Sequence, residues 1–92
     1  MIVEWTPRAS RELLAQLQFI AEDKPSAAER MAGLVAESTS LLANWPQLGK
    51  ATQIPDVYNL VIPRTPFVAV YRLNLGRVTI LRLFHGAQQT DR

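Results

Sequence analysis

The chain has no cysteine and a single histidine, His85, in 92 residues. The first absence excludes a disulfide scaffold and any thiolate metal site, and one imidazole leaves too little for a histidine-based metal centre. Glycine is sparse, with four residues, and no glycine-rich stretch is present to cradle a phosphate. No Ser-His-Asp set is present either, so no cofactor and no metal are expected. No apolar run nears the roughly 20 residues that a bilayer crossing requires, and the N-terminal residues do not resemble a secretory leader. The expectation is a cytoplasmic protein with no membrane partner. Glutamate stops at Glu37, so the second half of the chain contains none.

What is there is an ordinary globular composition, 48% hydrophobic and 20% charged, well clear of the balance that leaves a chain disordered. A chain of this length encloses one core, so residues 1–92 are read as a single domain. The net charge of +2 conceals a division. Residues 1–46 carry four basic and six acidic side chains, whereas residues 47–92 carry six basic and two acidic ones. The second half is the part that attracts an anionic partner, unless its charges are merely solubilising.

Ile2, Val3 and Trp5 form a short apolar opening, and Thr6-Pro7 reads as an N-cap followed by a proline at the first helical position. Leu13, Leu14, Leu17, Ile20 and Ala21 then recur at helical spacing until Lys24-Pro25. Ser26 to Glu29 has the spacing of a capping box, opening a second helix with a stripe of Met31, Leu34, Val35, Ser38, Leu41, Leu42 and Trp45. Asn44, Pro46 and Gly49 close it. With a short connection the two helices pack as an antiparallel hairpin.

From Val57 the period shortens. Residues 57–62, 67–73 and 78–84 are rich in Val, Ile, Tyr and Phe and are separated by turn residues, which predicts three strands in an antiparallel meander. The opening residues add a fourth strand. The expected class is α+β, with order β-α-α-β-β-β: a helical hairpin on one face of a small antiparallel sheet. The other face stays open for binding. A two-residue loop at Leu75-Gly76 puts Arg72 and Arg82 on opposite faces and a three-residue loop including Asn74 puts them together; the sequence leaves both open.

The order of these elements carries a resemblance. The phrases VEWTPRASREL, FIAEDKPSAAERM, LLANWPQLGK, TPFVAVYRL and VTILRLFHGAQ together resemble toxins of the RelE/ParE superfamily, the toxic halves of type II toxin–antitoxin pairs. In the RelE branch, basic and aromatic side chains on the sheet cut messenger RNA in the ribosome; in the ParE branch the toxin poisons DNA gyrase and is not a nuclease. Cutting RNA through its own 2′-hydroxyl needs a base, an acid and cations for the charge on phosphorus. The resemblance puts the two nuclease lysine positions at Asn59 and Val61, the arginine position at Val68, and the last basic or tyrosine positions at Ala87 and Gln88. None of these transfers a proton. The turn Trp45-Pro46-Gln47-Leu48-Gly49 and the ending Phe84-His85-Gly86 are similar to the ParE branch, which implies a gyrase-poisoning toxin that is not an enzyme. A RelE-like ribosome-dependent nuclease and an inert antitoxin-binding relative remain as alternatives.

The resemblance also implies a cognate ParD-like, ribbon-helix-helix antitoxin and a hetero-oligomer with it. Such antitoxins lay an amphipathic segment across the toxin, and Leu13, Leu17 and Phe19 flank an apolar groove suited to one. Lys50, Arg64, Arg72, Arg82 and His85 complete the candidate target- or antitoxin-binding set. Lys50 and Arg64 sit in exposed loops. Arg72 and Arg82 lie within apolar strands, so each must reach an open edge, a bound anion, or a carboxylate such as Glu4 or a helix acid. His85 is the one candidate catalyst, with Arg82 or Arg64 as its nearest equivalents of a nuclease set. The competing reading is a structural residue donating to a backbone carbonyl in the Gly86 turn. Trp5 and Trp45 are expected as core anchors.

Overall fold

A computed structural model describes residues 1–88. Strand β1 (Ile2–Trp5) leads into helix α1 (Pro7–Asp23), as the Thr6-Pro7 pair predicts. Thr6 is extended, its Oγ1 accepts the Ala9 N–H at 3.0 Å, and the same hydroxyl donates to the Leu81 carbonyl at 3.3 Å. One side chain thus caps the helix and ties its start to the last strand.

Helix α2 (Pro25–Ser40) follows after one residue, Lys24. The Lys24 N–H donates to the Ile20 carbonyl at 2.8 Å, and its carbonyl accepts from Ala27 and Ala28 at 3.1 and 3.2 Å. The expected capping box does not form: α2 begins at Pro25, Ser26 lies inside it, and the Lys24 cap position has no side-chain hydrogen bond. Proline's fixed φ and missing N–H suit the first helical position, so Pro25 starts the second helix. Beyond Ser40 the chain tightens into a 3-10 turn, Leu41–Ala43. At three residues per turn, position 45 rotates off the helical stripe. Trp45 is accordingly 59% exposed and not the core anchor its spacing suggests, whereas Trp5 packs against the core as expected.

Strands β2 (Lys50–Ala51), β3 (Val57–Val61), β4 (Phe67–Asn74) and β5 (Arg77–His85) join β1 in one sheet of order β1-β5-β4-β3-β2. The short β2 lies in what reads as loop in the sequence. The sheet is mixed rather than wholly antiparallel, because β1 runs parallel to β5, with Val3 opposite Val78 and Trp5 opposite Ile80. The helical hairpin supplies the long crossover that parallel pairing requires. A closing 3-10 turn spans Gly86–Gln88.

The β4–β5 loop has two residues, Leu75 and Gly76, with φ of 47° and 80°, so Asn74 pairs with Arg77. Positive φ at both central positions matches the twist of the flanking strands. Farther along, Val70 faces Arg82 while Tyr71 faces Ile80, leaving Leu81 as an extra residue. This bulge shifts the alternation by one and puts Arg82 on the same face as Val70 and Arg72. The loop length alone predicts the opposite.

Core residues Leu60, Ile62, Phe67, Ala69, Tyr71, Val78, Ile80 and Leu83 face Ala9, Val35 and Leu42 from the helical side. Leu13, Leu17, Ile20, Met31 and Leu34 pack against this cluster, while Leu14, though on the same predicted stripe, is 56% exposed. Tyr71 is fully buried; its hydroxyl donates to the Pro46 carbonyl at 2.8 Å and accepts the Gly49 N–H at 2.9 Å. Burial pushes its phenol pKa up, against the lowering effect of the Gly49 N–H. A Cβ on Gly49 would stand 2.7 Å from the Asn59 carbonyl oxygen and 2.8 Å from the Tyr71 hydroxyl, so only glycine passes here.

Candidate functional site

The face of the sheet away from the helices is arranged in rows across the strands. One row is Val61, Val68 and Phe84; the next is Lys50, Asn59, Val70 and Arg82; a third is Val57, Arg72, Thr79 and Glu4. The first row contains no titratable side chain, and Val61 within it is 67% exposed. Val68 is buried despite its place on this face, with Gly86 of the closing turn lying close above its side chain.

The basic groups on this face are not equivalent. Arg77 Nη1 meets Glu4 Oε2 at 2.7 Å, an exposed pair of small energetic value. Arg82 is held more firmly. Its Nε donates to both Glu12 carboxylate oxygens, at 3.1 and 2.8 Å, and Glu12 Oε1 also accepts the Leu83 N–H at 2.9 Å, with Arg8 at 3.5 Å on the other side. The reason lies in strand lengths. β1 stops opposite Ile80, so β5 continues with an unpaired edge, and the α1 carboxylate fills the place of the missing strand. A helix acid therefore claims Arg82, while Glu4 goes to Arg77. Among the described residues Lys50, Arg64 and Arg72 have no ion-pair partner. Arg64 is exposed in the turn after Pro63 with φ of 64°.

His85 lies elsewhere. It is opposite Phe67, a core residue, and therefore points to the helical side, with the two rings edge-on at 6.5 Å. Its Nδ1 accepts the Ala87 N–H at 3.1 Å, the reverse of the donation expected in this turn. That acceptor role requires Nδ1 without a proton. His85 borders a groove lined with Phe19, Ile20, Met31, Pro66 and the aliphatic surface of Ala15. Phe19 is 73% exposed at its rim, but Leu13 and Leu17 are turned into the core contact. The sequence-predicted set is thus divided: Lys50, Arg72 and Arg82 share the open face, Arg64 occupies a turn, and His85 with Phe19 belongs to a groove on the other side.

Sequence reasoning anticipated a helix acid for Arg82 without identifying which one, and it missed an exposed apolar cluster altogether. Glu12 reads as an ordinary exposed helix acid four residues from Arg8, and its real partners are 70 and 71 positions away. Trp45, Leu41 and Leu48 read as core or turn, yet are exposed by 59%, 41% and 50%. Among the described residues no group of His, Asp and Glu has the arrangement of a metal site, and no helix is long and apolar enough to cross a membrane.

Residues 3–90 match the family model described as the ParE toxin of the type II toxin–antitoxin system parDE. A putative toxin, Y4kP of Sinorhizobium fredii, is 32% identical over 87 residues, covering 95% of this chain and 90% of that protein. Toxin RelE2 of Caulobacter vibrioides is 34% identical over 86 residues, covering 94% and 96%. Among solved structures, the chromosomal ParDE system of P. aeruginosa superposes with a TM-score of 0.81 at 25% identity, over 92% of this chain and 95% of that one. The toxin–antitoxin complex RelBE2 of Mycobacterium tuberculosis shares the fold, with a TM-score of 0.58 at 21% identity over 91% and 88%. The chain belongs to the ParE toxin family of type II toxin–antitoxin systems, within the RelE/ParE superfamily.

Proposed function

We propose that this toxin arrests growth by binding DNA gyrase, without cutting RNA, and that a cognate ribbon-helix-helix antitoxin neutralises it in a hetero-oligomer. The observation that carries the reading is the composition of the open face. The positions that the superfamily resemblance assigns to nuclease lysines and arginine, Asn59, Val61 and Val68, lie together on that face and carry no cation and no proton-transfer group. His85 does not replace them, since it faces the helical side while Arg82 faces the other. Glu12 supplies a carboxylate near Arg82, but its oxygens already accept from Arg82 and Leu83. What remains is a surface of Lys50, Arg72, apolar and neutral polar groups, with Glu4 paired to Arg77 at its edge, suited to protein contact.

The antitoxin reading rests on the similar ParDE system and on the groove beside Phe19, Met31 and His85. Its concave apolar lining fits an amphipathic helix. Removing the antitoxin is expected to expose this surface and lower solubility. The deciding experiment adds purified toxin to a gyrase supercoiling reaction and, separately, to a translating extract with message ends mapped. Loss of supercoiling or accumulated DNA breaks with intact message is the expected result. Cleaved message with gyrase unaffected would overturn the proposal in favour of the nuclease.

A further inference from the structure

We infer that the projecting segment from Leu41 to Leu48, with Val61 and Lys50 beside it, is the surface by which the toxin grips its target, inserting Trp45 into an apolar pocket rimmed by carboxylate. The inference rests on the chain being a toxin, but not on gyrase being the target. Leu41, Leu48 and Val61 line one continuous depression with Lys50, and Leu48 also borders the depression around Trp45. Large apolar side chains gathered this way on a small domain mark an interaction site more often than scattered exposure does.

The segment is also rigid. The Trp45 N–H donates to the Leu41 carbonyl at 2.9 Å and the Leu48 N–H to the Trp45 carbonyl at 3.0 Å. From beneath, the buried Tyr71 hydroxyl holds both Pro46 and Gly49, and Gly49 sits against β3 too closely to admit a Cβ. A buried tyrosine spends both its hydrogen bonds on holding a loop whose own side chains face solvent. Fixing the backbone that carries a tryptophan before the encounter removes part of the ordering cost from binding, and tryptophan is among the residues most enriched at binding hot spots.

Shape and charge point to the occupant. Trp45 is 59% exposed beside an apolar depression, so its complement is an apolar pocket in a folded protein; the toxin's own concave groove, beside Phe19 and Met31, is the place for a helical segment. No carboxylate lines either depression, and Lys50, which has no ion-pair partner among the described residues, stands next to Leu48 and Val61. The partner surface is therefore apolar at its centre and acidic at its edge.

The test measures growth arrest on induction without antitoxin, and antitoxin affinity, for the wild-type chain and for Trp45→Ala, Leu48→Ser and Lys50→Glu. All three positions are exposed, and thermal melts with retained antitoxin binding verify the fold. Trp45→Ala is expected to raise the dose needed for arrest by at least about tenfold, the scale of a hot-spot truncation, while antitoxin affinity changes less than about threefold. Lys50→Glu should act in the same direction. Undiminished arrest by Trp45→Ala and Leu48→Ser overturns the inference, as does a parallel loss of antitoxin binding, which would assign the surface to the antitoxin. A wild-type chain that does not arrest growth at all sinks the toxin reading and this inference with it.

Discussion

Replacing Tyr71 with phenylalanine removes one oxygen from the centre of the molecule, and the structure sets the cost. The ring is fully buried and stacks on Tyr58 at 5.4 Å with planes 14° apart, so phenylalanine fills the same space and creates no cavity. What is lost is the pair of hydrogen bonds to Pro46 and Gly49. Loss of the Pro46 bond costs about 1 kcal/mol and the part-buried Gly49 N–H left without a partner about 1–3 kcal/mol, so the sum is about 2–4 kcal/mol. For a domain of this size that lowers Tm by about 8–30 °C, read by calorimetry or circular dichroism. The pH dependence supplies a second readout. Burial raises the folded-state phenol pKa above its unfolded value near 10. The folded state therefore holds the proton more tightly, and this contribution is complete below pH about 10 and is lost as pH rises beyond it. The wild-type chain should lose stability above pH 10 more steeply than Tyr71→Phe, so the two melting curves converge in alkali. A Tm shift under about 2 °C, or parallel alkaline slopes, would refute the assignment of the hydroxyl as the clamp on the Trp45 segment.

Glu12→Ala strips the partner from Arg82 and leaves the Leu83 N–H unpaired, and should cost about 1–3 kcal/mol in urea unfolding; Glu12→Gln, whose amide oxygen still accepts that N–H, should cost clearly less. Leu75→Gly removes a 97% exposed leucine from a φ of 47° and should raise stability by about 0.5–1 kcal/mol, measurable as a higher urea midpoint at unchanged slope. His85→Ala tests chemistry: a groove contact predicts a change of a few-fold in growth arrest, whereas loss by several orders of magnitude would mark a catalyst.

Local signals were legible in the sequence and long-range ones were not. Thr6-Pro7 opens α1 as its residue types require, and β3, β4 and β5 lie within a residue or two of the apolar runs that predict them, because N-caps and strand alternation are encoded by near neighbours. The parallel partnership of β1 with β5 joins residues 75 positions apart, and no local pattern specifies it. The Leu81 bulge is equally silent, yet it moves Arg82 to the face of Arg72 and reverses what loop length alone implies. Trp45 fails as a predicted core residue because helical spacing was extended past the point where the helix becomes 3-10. Of the candidate site, the cations and His85 were visible as residues, while their division between two faces and the claim of Glu12 on Arg82 depend on register.

The pairing of β1 with β5 also governs the order in which the molecule can be finished. On the ribosome the helical hairpin can close early, since its two arms are joined by Lys24 alone. Its apolar stripe, Leu13, Leu17, Ile20, Met31 and Leu34, then has no complete sheet to lie on until β5, whose pairing with β1 spans 75 positions, has emerged. Only at that moment do β1, the Glu12 cap and the core receive their partner together. Until β5 is in place, that apolar face has no cover from within the chain. Contacts of such long sequence separation are slow to form, which gives a partner already present in the cell an interval in which to meet it.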